Sequence, residues 1–216
     1  VDEDINFISD LAQQANSSIV VANGKNLNYS GNVFNVGAQM LTLSGAGVFA
    51  NTNNLTLNDP ASSLKLNGIS KVDNVSISAA LASGKLEIAQ NSTIGVLTHS
   101  GSSRIDIDNA TVLTLSNAFE IPQGKSMELL GSGGGTLSLL DKPTLKGTLK
   151  ISSTGYTLRN GTLGLSGGLL DVVEDTNIES NITLLVDSTL QIDPSKSMTY
   201  GGTAVDIGTS KLNIQG

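Results

Sequence analysis

The chain has 216 residues, with 12 Lys and Arg against 19 Asp and Glu, no Cys and no Trp. A net charge of −7 with only two arginines, Arg104 and Arg159, argues against nucleic acid and anionic lipid as partners, and the lack of Cys excludes disulfides and thiolate metal sites. Charged residues are 14% and hydrophobic residues 38%, so there is enough Leu, Ile and Val to offset ordering entropy, and a disordered chain is excluded.

In chain order, the first 18 residues stand apart. Asp2-Glu3-Asp4 precedes Ile5, Ile8, Leu11, Ala12 and Ala15 at helical spacing. Acidic residues at a helix start suit its dipole. This spacing predicts a short amphipathic helix over residues 1–18 that caps the first edge of a strand-rich remainder. The chain begins at Val1 rather than Met, which fits a processed form or a fragment from which a signal peptide has gone. No run of 18 apolar residues occurs, so no membrane-inserted helix is expected.

Residues 19–216 read as short units of apolar-x-apolar form. Leu41-Thr42-Leu43, Leu64-Lys65-Leu66, Leu86-Glu87-Ile88, Ile105-Asp106-Ile107 and Leu149-Lys150-Ile151 are examples. Period-two alternation marks strands. Gly, Asn, Ser and Asp fill the gaps, as turns require. A longer period sets the fold. The series Ile19, Leu41, Leu64, Leu86, Ile105, Met127, Leu149, Leu169, Leu190, Leu212 advances by 19 to 23 residues per step. A second series runs Leu27, Val48, Ile69, Ile94, Leu113, Leu137, Tyr156, Ile178, Met198, and a third runs Val33, Leu55, Val75, Phe119, Leu145, Leu163, Ile182, Val205, with one coil missing. The expected fold is all-β: a parallel β-solenoid, wound as a right-handed β-helix, with three strands per coil of about 21 residues and about nine coils. At roughly 4.8 Å per coil the rod is about 45 Å long.

A strand–turn–strand motif carrying Lys recurs at Val21–Tyr29, Ile121–Leu129 and Ile192–Tyr200. It lacks the full phosphate-loop frame and its helix, and reads as a solvated turn. Asn32, Asn54, Asn74 and Asn181 precede third-series strands and are expected to stack as a ladder of amides. Leu212-Asn213-Ile214 is still strand-like at the last residues, which predicts an open edge that stacks on another subunit or marks a cut chain.

Candidate chemistry is sparse. His99 is the single histidine and lies in Thr98-His99-Ser100-Gly101, read as a polar, solvated turn. Arg104-Ile105-Asp106-Ile107-Asp108 places three charges on one outward strand face. That pattern suits a glycoside-cleaving carboxylate pair, but alternation produces it without any function. Asp171, Glu174 and Asp175 form the densest acidic cluster, which is either a calcium site or solvated turn carboxylates. Gly131-Ser132-Gly133-Gly134-Gly135 occurs once and lacks the Asp of a calcium nonapeptide roll, so that reading is rejected. Eight Asn-x-Ser/Thr sites follow from alternation in an Asn-rich chain and imply no glycosylation. No catalytic, cofactor-binding or metal-ligating residue is assigned, and no cofactor.

The apolar-x-apolar coils, Gly-Lys turns and Ser/Thr/Asn/Gly surface of residues 19–216 resemble the right-handed parallel β-helices of bacterial surface proteins. These are the autotransporter passengers and filamentous-haemagglutinin-like adhesins, and in the wide sense the pectin-lyase-like superfamily. The likeness is one of style, since the paired aspartates and Gly-His-Gly turn of polygalacturonase relatives are absent around His99. The resemblance implies an extracellular or cell-surface protein that is structural or adhesive and not an enzyme. Its partners would be further copies of itself, as a fibre, or a host or cell-surface ligand. The rival expectation is a polysaccharide-acting enzyme or carbohydrate-binding β-helix.

Overall fold

The computed structural model describes residues 1–131 and 133–216. It is a parallel β-solenoid of the right-handed type, with about ten turns of about 22 residues each. Strands on one face run from Ser17–Val20 through Met40–Ser44 and Ser63–Asn67 to Leu212–Gln215, ten in all, each paired in parallel with its equivalent one coil away. A second face runs from Ile5–Phe7 to Met198–Tyr200, again ten strands. The third face is made of two- to six-residue strands such as Phe34–Asn35, Leu55–Leu57, Thr144–Leu145 and Asn181–Val186.

The solenoid form follows from the alternation. Each short strand points one set of side chains inward, and the narrow interior is filled by columns of Leu, Ile and Val. One such column is Leu41, Leu64, Leu86, Ile105, Leu129 and Ile151, all 2% exposed or less. Aromatic rings gather near one end, where Tyr29 lies between Phe7 and Phe49 with centroids 6.2 and 6.3 Å away.

The predicted helix over residues 1–18 is not there; the described residues contain no helix. Instead Ile5–Phe7, Leu11–Ala12 and Ser17–Val20 are the three strands of a further coil. The solenoid therefore starts within residues 1–18, not at residue 19. The spacing of Ile5, Leu11 and Ser17, close to six residues, comes from one strand and one turn per face. Asp4 serves no helix dipole: its Oδ1 accepts the backbone N–H of Asn26 at 2.8 Å on the next coil.

Several registers differ from the expected series. Ile105 pairs with Leu129, not Met127, which pairs with Ser103. Leu190 pairs with Ile214 rather than Leu212. A slip of two residues keeps every side chain on its own face, so hydrophobic pattern cannot detect it. Leu149 pairs with Leu170 rather than Leu169, a choice between adjacent leucines. The missing third-series member is Leu97. Strands Lys71–Ile77 and Ser92–His99 pass through a corner without a turn, joining two faces. Inward positions there fall three apart, at Val72 and Val75 and at Ile94 and Leu97, which breaks the alternation.

Candidate functional site

The outward side of the first face carries most of the ionic chemistry, because register brings charges from successive coils together. Lys65 meets Glu87 at 2.5 Å, and Lys85 bridges Glu87 at 3.1 Å and Asp106 at 2.6 Å. Arg104 and Lys150 flank Glu128, each at 3.7 Å. Asp106, the candidate catalytic carboxylate, is thus engaged by Lys85, and its side chain is only 12% exposed. The Asp106 carboxylate holds Lys85 above its ordinary pKa, against the opposing effect of burial and with help from Glu87. Burial alone would raise Glu87, but hydrogen bonds from Lys65 and Lys85 hold it below the usual carboxylate value. Lys85 and Glu87 are thus each held in the charged form by the other members of the ladder.

His99 is not solvated. It ends the strand Ser92–His99, faces inward beside Ile77 of the preceding coil and is 5% exposed. Its Nε2 lies 2.8 Å from the Oγ of Ser103, which is 2% exposed. Burial pushes its pKa down to about 4; backbone hydrogen bonding opposes this and the Lys125 charge adds to it. The imidazole is therefore neutral at neutral pH. Thr98-His99-Ser100 resembles a turn because its residues are polar, yet Leu97-x-His99 continues the inward alternation.

The acidic cluster does not converge, and among the described residues no group of three or more His, Asp or Glu forms a metal cage. Glu174 pairs with Lys196 at 2.6 Å. Asp175 accepts the backbone N–H of Ser197 at 2.8 Å and its hydroxyl at 2.9 Å, which lowers the Asp175 pKa. Asp171 lies across from Lys150 in the strand ladder; burial raises its pKa, with Lys150 opposing and Asp193 adding. In the glycine run, Ser132 lies outside the described residues.

Asn side chains do not stack as the expected single ladder. Asn74 pairs with Asn51, whose Oδ1 accepts the Asn74 backbone N–H at 3.1 Å, and Asn181 turns to Thr203 and Ala204. The wider pattern is one that sequence reasoning missed: Asn and Asp at the corners accept backbone N–H groups of the following coil. Asp10 accepts from Asn32 and Val33 at 2.6 and 3.1 Å. Asn181 accepts from Thr203 and Ala204 at 2.9 and 3.1 Å. Asn16 accepts from Met40 at 2.8 Å, and Asp187 from Lys211 at 2.7 Å. These side chains satisfy corner amides that fall outside the strand ladders.

One concave feature lies on the outside of the second face, a groove of about 410 Å³ beside the long corner strands. Asn28, Asn74 and Asn117 line it together with Lys71 and Asp73, themselves 2.7 Å apart. Gly95 also lines it and lets two coils approach closely, since a Cβ there would lie 2.6 Å from the Asp73 carbonyl oxygen. Polar side chains are thus mixed with apolar surface in this groove, and Lys71 and Asp73 are already paired with each other.

The three Lys motifs are not equivalent. Val21–Tyr29 and Ile192–Tyr200 both cross from the first face to the second, whereas Ile121–Leu129 crosses from the third face to the first. No protein-family model, no characterised protein and no solved structure matches the chain.

Proposed function

We propose that this protein is a non-enzymatic structural or adhesive β-solenoid of the extracellular space or bacterial cell surface. It would be a stiff rod that presents its outer faces or extends by stacking further coils. The observation that supports this is the direction in which polar bonding is used. The Lys65–Glu87 and Lys85–Asp106 bridges and the Asn and Asp corner contacts run coil to coil, along the axis. Side chains bonded this way resist bending and shear of the stack. The resemblance to bacterial surface β-helices supports the location and the partners, which are further copies or a surface ligand. Ten coils at roughly 4.8 Å give a rod about 48 Å long.

The polar groove beside Asp73 supports a second reading, a carbohydrate-binding or carbohydrate-cleaving β-helix. One screen separates the two. The purified chain is incubated with acidic and neutral polysaccharides, and both reducing-end release and retention are measured. The rod reading expects no turnover. Turnover abolished in Asp73→Ala or Asp106→Ala would replace it with the enzymatic one.

A further inference from the structure

Three Asn-Gly pairs occur in the chain: Asn23-Gly24, Asn67-Gly68 and Asn160-Gly161. Such a pair carries chemistry of its own. The glycine main-chain nitrogen can attack the Asn Cγ, because the ring that forms is five-membered and no Cβ on the glycine obstructs it. The N–Cγ bond forms, the Cγ–Nδ2 bond breaks, and the amide leaves as ammonia, taking the proton of the glycine nitrogen. Water then opens the succinimide at either carbonyl. Cleavage of the N–Cγ bond leaves aspartate; cleavage of the bond to the Asn main-chain carbonyl leaves isoaspartate, in which the chain runs through Cγ. The Asn side chain must swing onto the next nitrogen, so the fold decides which pairs react.

The three pairs sit in different surroundings. Asn160 is exposed, but its Nδ2 donates to the Ser138 Oγ at 2.8 Å. Its glycine is packed so closely that a Cβ on Gly161 would lie 2.5 Å from the Leu139 carbonyl oxygen. Asn67 ends the strand Ser63–Asn67 and is half-buried, and Gly68 is bridged to Ser44 of the preceding coil. Asn23 is exposed on the turn Ala22–Lys25, which the Lys25 N–H closes on the Ala22 carbonyl at 3.1 Å. Gly24 takes the third place at φ 70°, as a type II turn requires. A Cβ on Gly24 would meet nothing within 4 Å, and among the described residues its N–H donates to no backbone carbonyl. The same turn stands in mid-rod at Pro122–Lys125, closed at 3.0 Å with Gly124 at φ 72°. There too a Cβ on the glycine would meet nothing within 4 Å, although coils pair on both sides. The openness therefore belongs to the turn itself.

We propose that Asn23-Gly24 is a self-modification site, at which the folded chain converts Asn23 through a succinimide to aspartate and isoaspartate, while the fold shields Asn67 and Asn160. The product carries a new carboxylate beside Lys25. In the isoaspartate form it also has a longer main chain in the turn that leads from the first face to the second. The chemistry does not depend on the rod reading; a long-lived rod is where such a mark would accumulate.

The purified chain is held in mildly alkaline buffer, either folded or unfolded in guanidinium chloride, and sampled over weeks. Trypsin puts the three pairs on separate peptides, since Lys25 and Lys71 lie between them. Mass spectrometry follows conversion of each Asn, and electron-transfer fragmentation identifies isoaspartate. Asn23→Gln is the control, because glutamine closes a larger ring more slowly; Gln123-Gly124 is the same control within the chain. In the folded chain Asn23 is expected to convert at least about tenfold faster than Asn67 and Asn160, and unfolding should remove that margin. The Val1–Lys25 peptide of Asn23→Gln should stay unconverted. A smaller margin, the same margin in the unfolded chain, or continued conversion of Val1–Lys25 in Asn23→Gln overturns the proposal and leaves the rod reading standing.

Discussion

Replacing His99 and Ser103 together by Leu and Ala tests the reading of the solenoid interior. In the folded chain the imidazole takes a proton only near pH 4. In the unfolded chain it does so near its ordinary value of 6.5. As pH falls from 6.5 towards 4 the unfolded chain therefore binds the proton first, and stability falls. His99 lends no pH dependence above that window and its penalty is complete below it. With about 1.4 kcal/mol per pH unit, the loss reaches roughly 2.5 kcal/mol at pH 4.5. The group is 5% exposed, so solvent does little to weaken this. The single change His99→Leu would leave the Ser103 hydroxyl buried without its partner, a penalty of about 1–3 kcal/mol. Replacing both partners avoids it. Urea unfolding of the wild type and of His99→Leu/Ser103→Ala at pH 7.5 and 4.5 gives four free energies. Carboxylates titrate in both proteins and cancel in the comparison. The wild type is expected to lose about 2–3 kcal/mol more than the double variant. Equal losses would refute the placement of His99 in the core.

Tyr156→Phe removes a hydroxyl that donates to the Leu130 carbonyl at 2.6 Å and accepts the Ile107 N–H at 2.9 Å. Thermal unfolding should show a loss of about 1–3 kcal/mol, with faster exchange of the Ile107 amide. Lys85→Met leaves Glu87 and Asp106 as neighbours with one cation fewer, so the Glu87 pKa should rise in a carboxyl-carbon NMR titration. Because Glu87 is held low in the fold, its stabilisation is present above the ordinary carboxylate pKa and lost as pH falls through the folded value. In Lys85→Met that acid-labile part should shrink. Ser195 occupies the left-handed region at φ 64°, where its counterpart is Gly24 at φ 70°. Ser195→Gly should stabilise by about 0.5 kcal/mol in urea unfolding, whereas Gly101→Ala, whose Cβ would collide with the Ala79 carbonyl oxygen, should destabilise measurably.

Much of the fold is legible in the sequence, because a solenoid is set by local alternation plus one long period. The apolar-x-apolar units and the advance of about 22 residues carry that information directly. Register is only half legible: Ser103-x-Ile105 and Met127-x-Leu129 fit the interior equally well in either two-residue offset. Their choice depends on how many residues the intervening corners absorb. The capping helix failed for a related reason. Ile8, which completed the helical spacing with Ile5 and Leu11, lies between two short strands and is 77% exposed, so only the strands on either side of it belong to the coil. His99 was hidden by its polarity. The acidic cluster at Asp171 to Asp175 was legible as chemistry but not as geometry, since Asp171 lies across from Lys150 of the preceding coil while Glu174 and Asp175 bond Lys196 and Ser197 of the following one. The Lys motif was legible as a repeat but not as a position, since Val21–Tyr29 and Ile192–Tyr200 share one corner while Ile121–Leu129 carries a similar sequence at another.

A stack in which each coil touches only its neighbours has the stability of its interfaces, taken one by one. The weakest interface then sets the stiffness of the rod, and the sequence shows where that danger lies. Gly131, Gly133 and Gly134 take left-handed or related backbone angles at φ 137°, 94° and 78°. At Gly135 a Cβ would lie 2.5 Å from the Ile107 carbonyl oxygen. So many glycines in one corner hold the chain weakly, because glycine loses the most freedom on ordering. Tyr156 stands in the interior at that level. Its ring is fully buried beside Thr176 of the following coil, and its hydroxyl bonds Ile107 and Leu130, tying three successive coils together. Burial raises its pKa, aided by the Asp106 and Asp108 charges and only partly offset by the Ile107 hydrogen bond, so the phenol keeps its proton and remains a donor. A buried tyrosine at the most glycine-rich corner therefore offsets, through its two hydrogen bonds, the weak hold those glycines have on the chain.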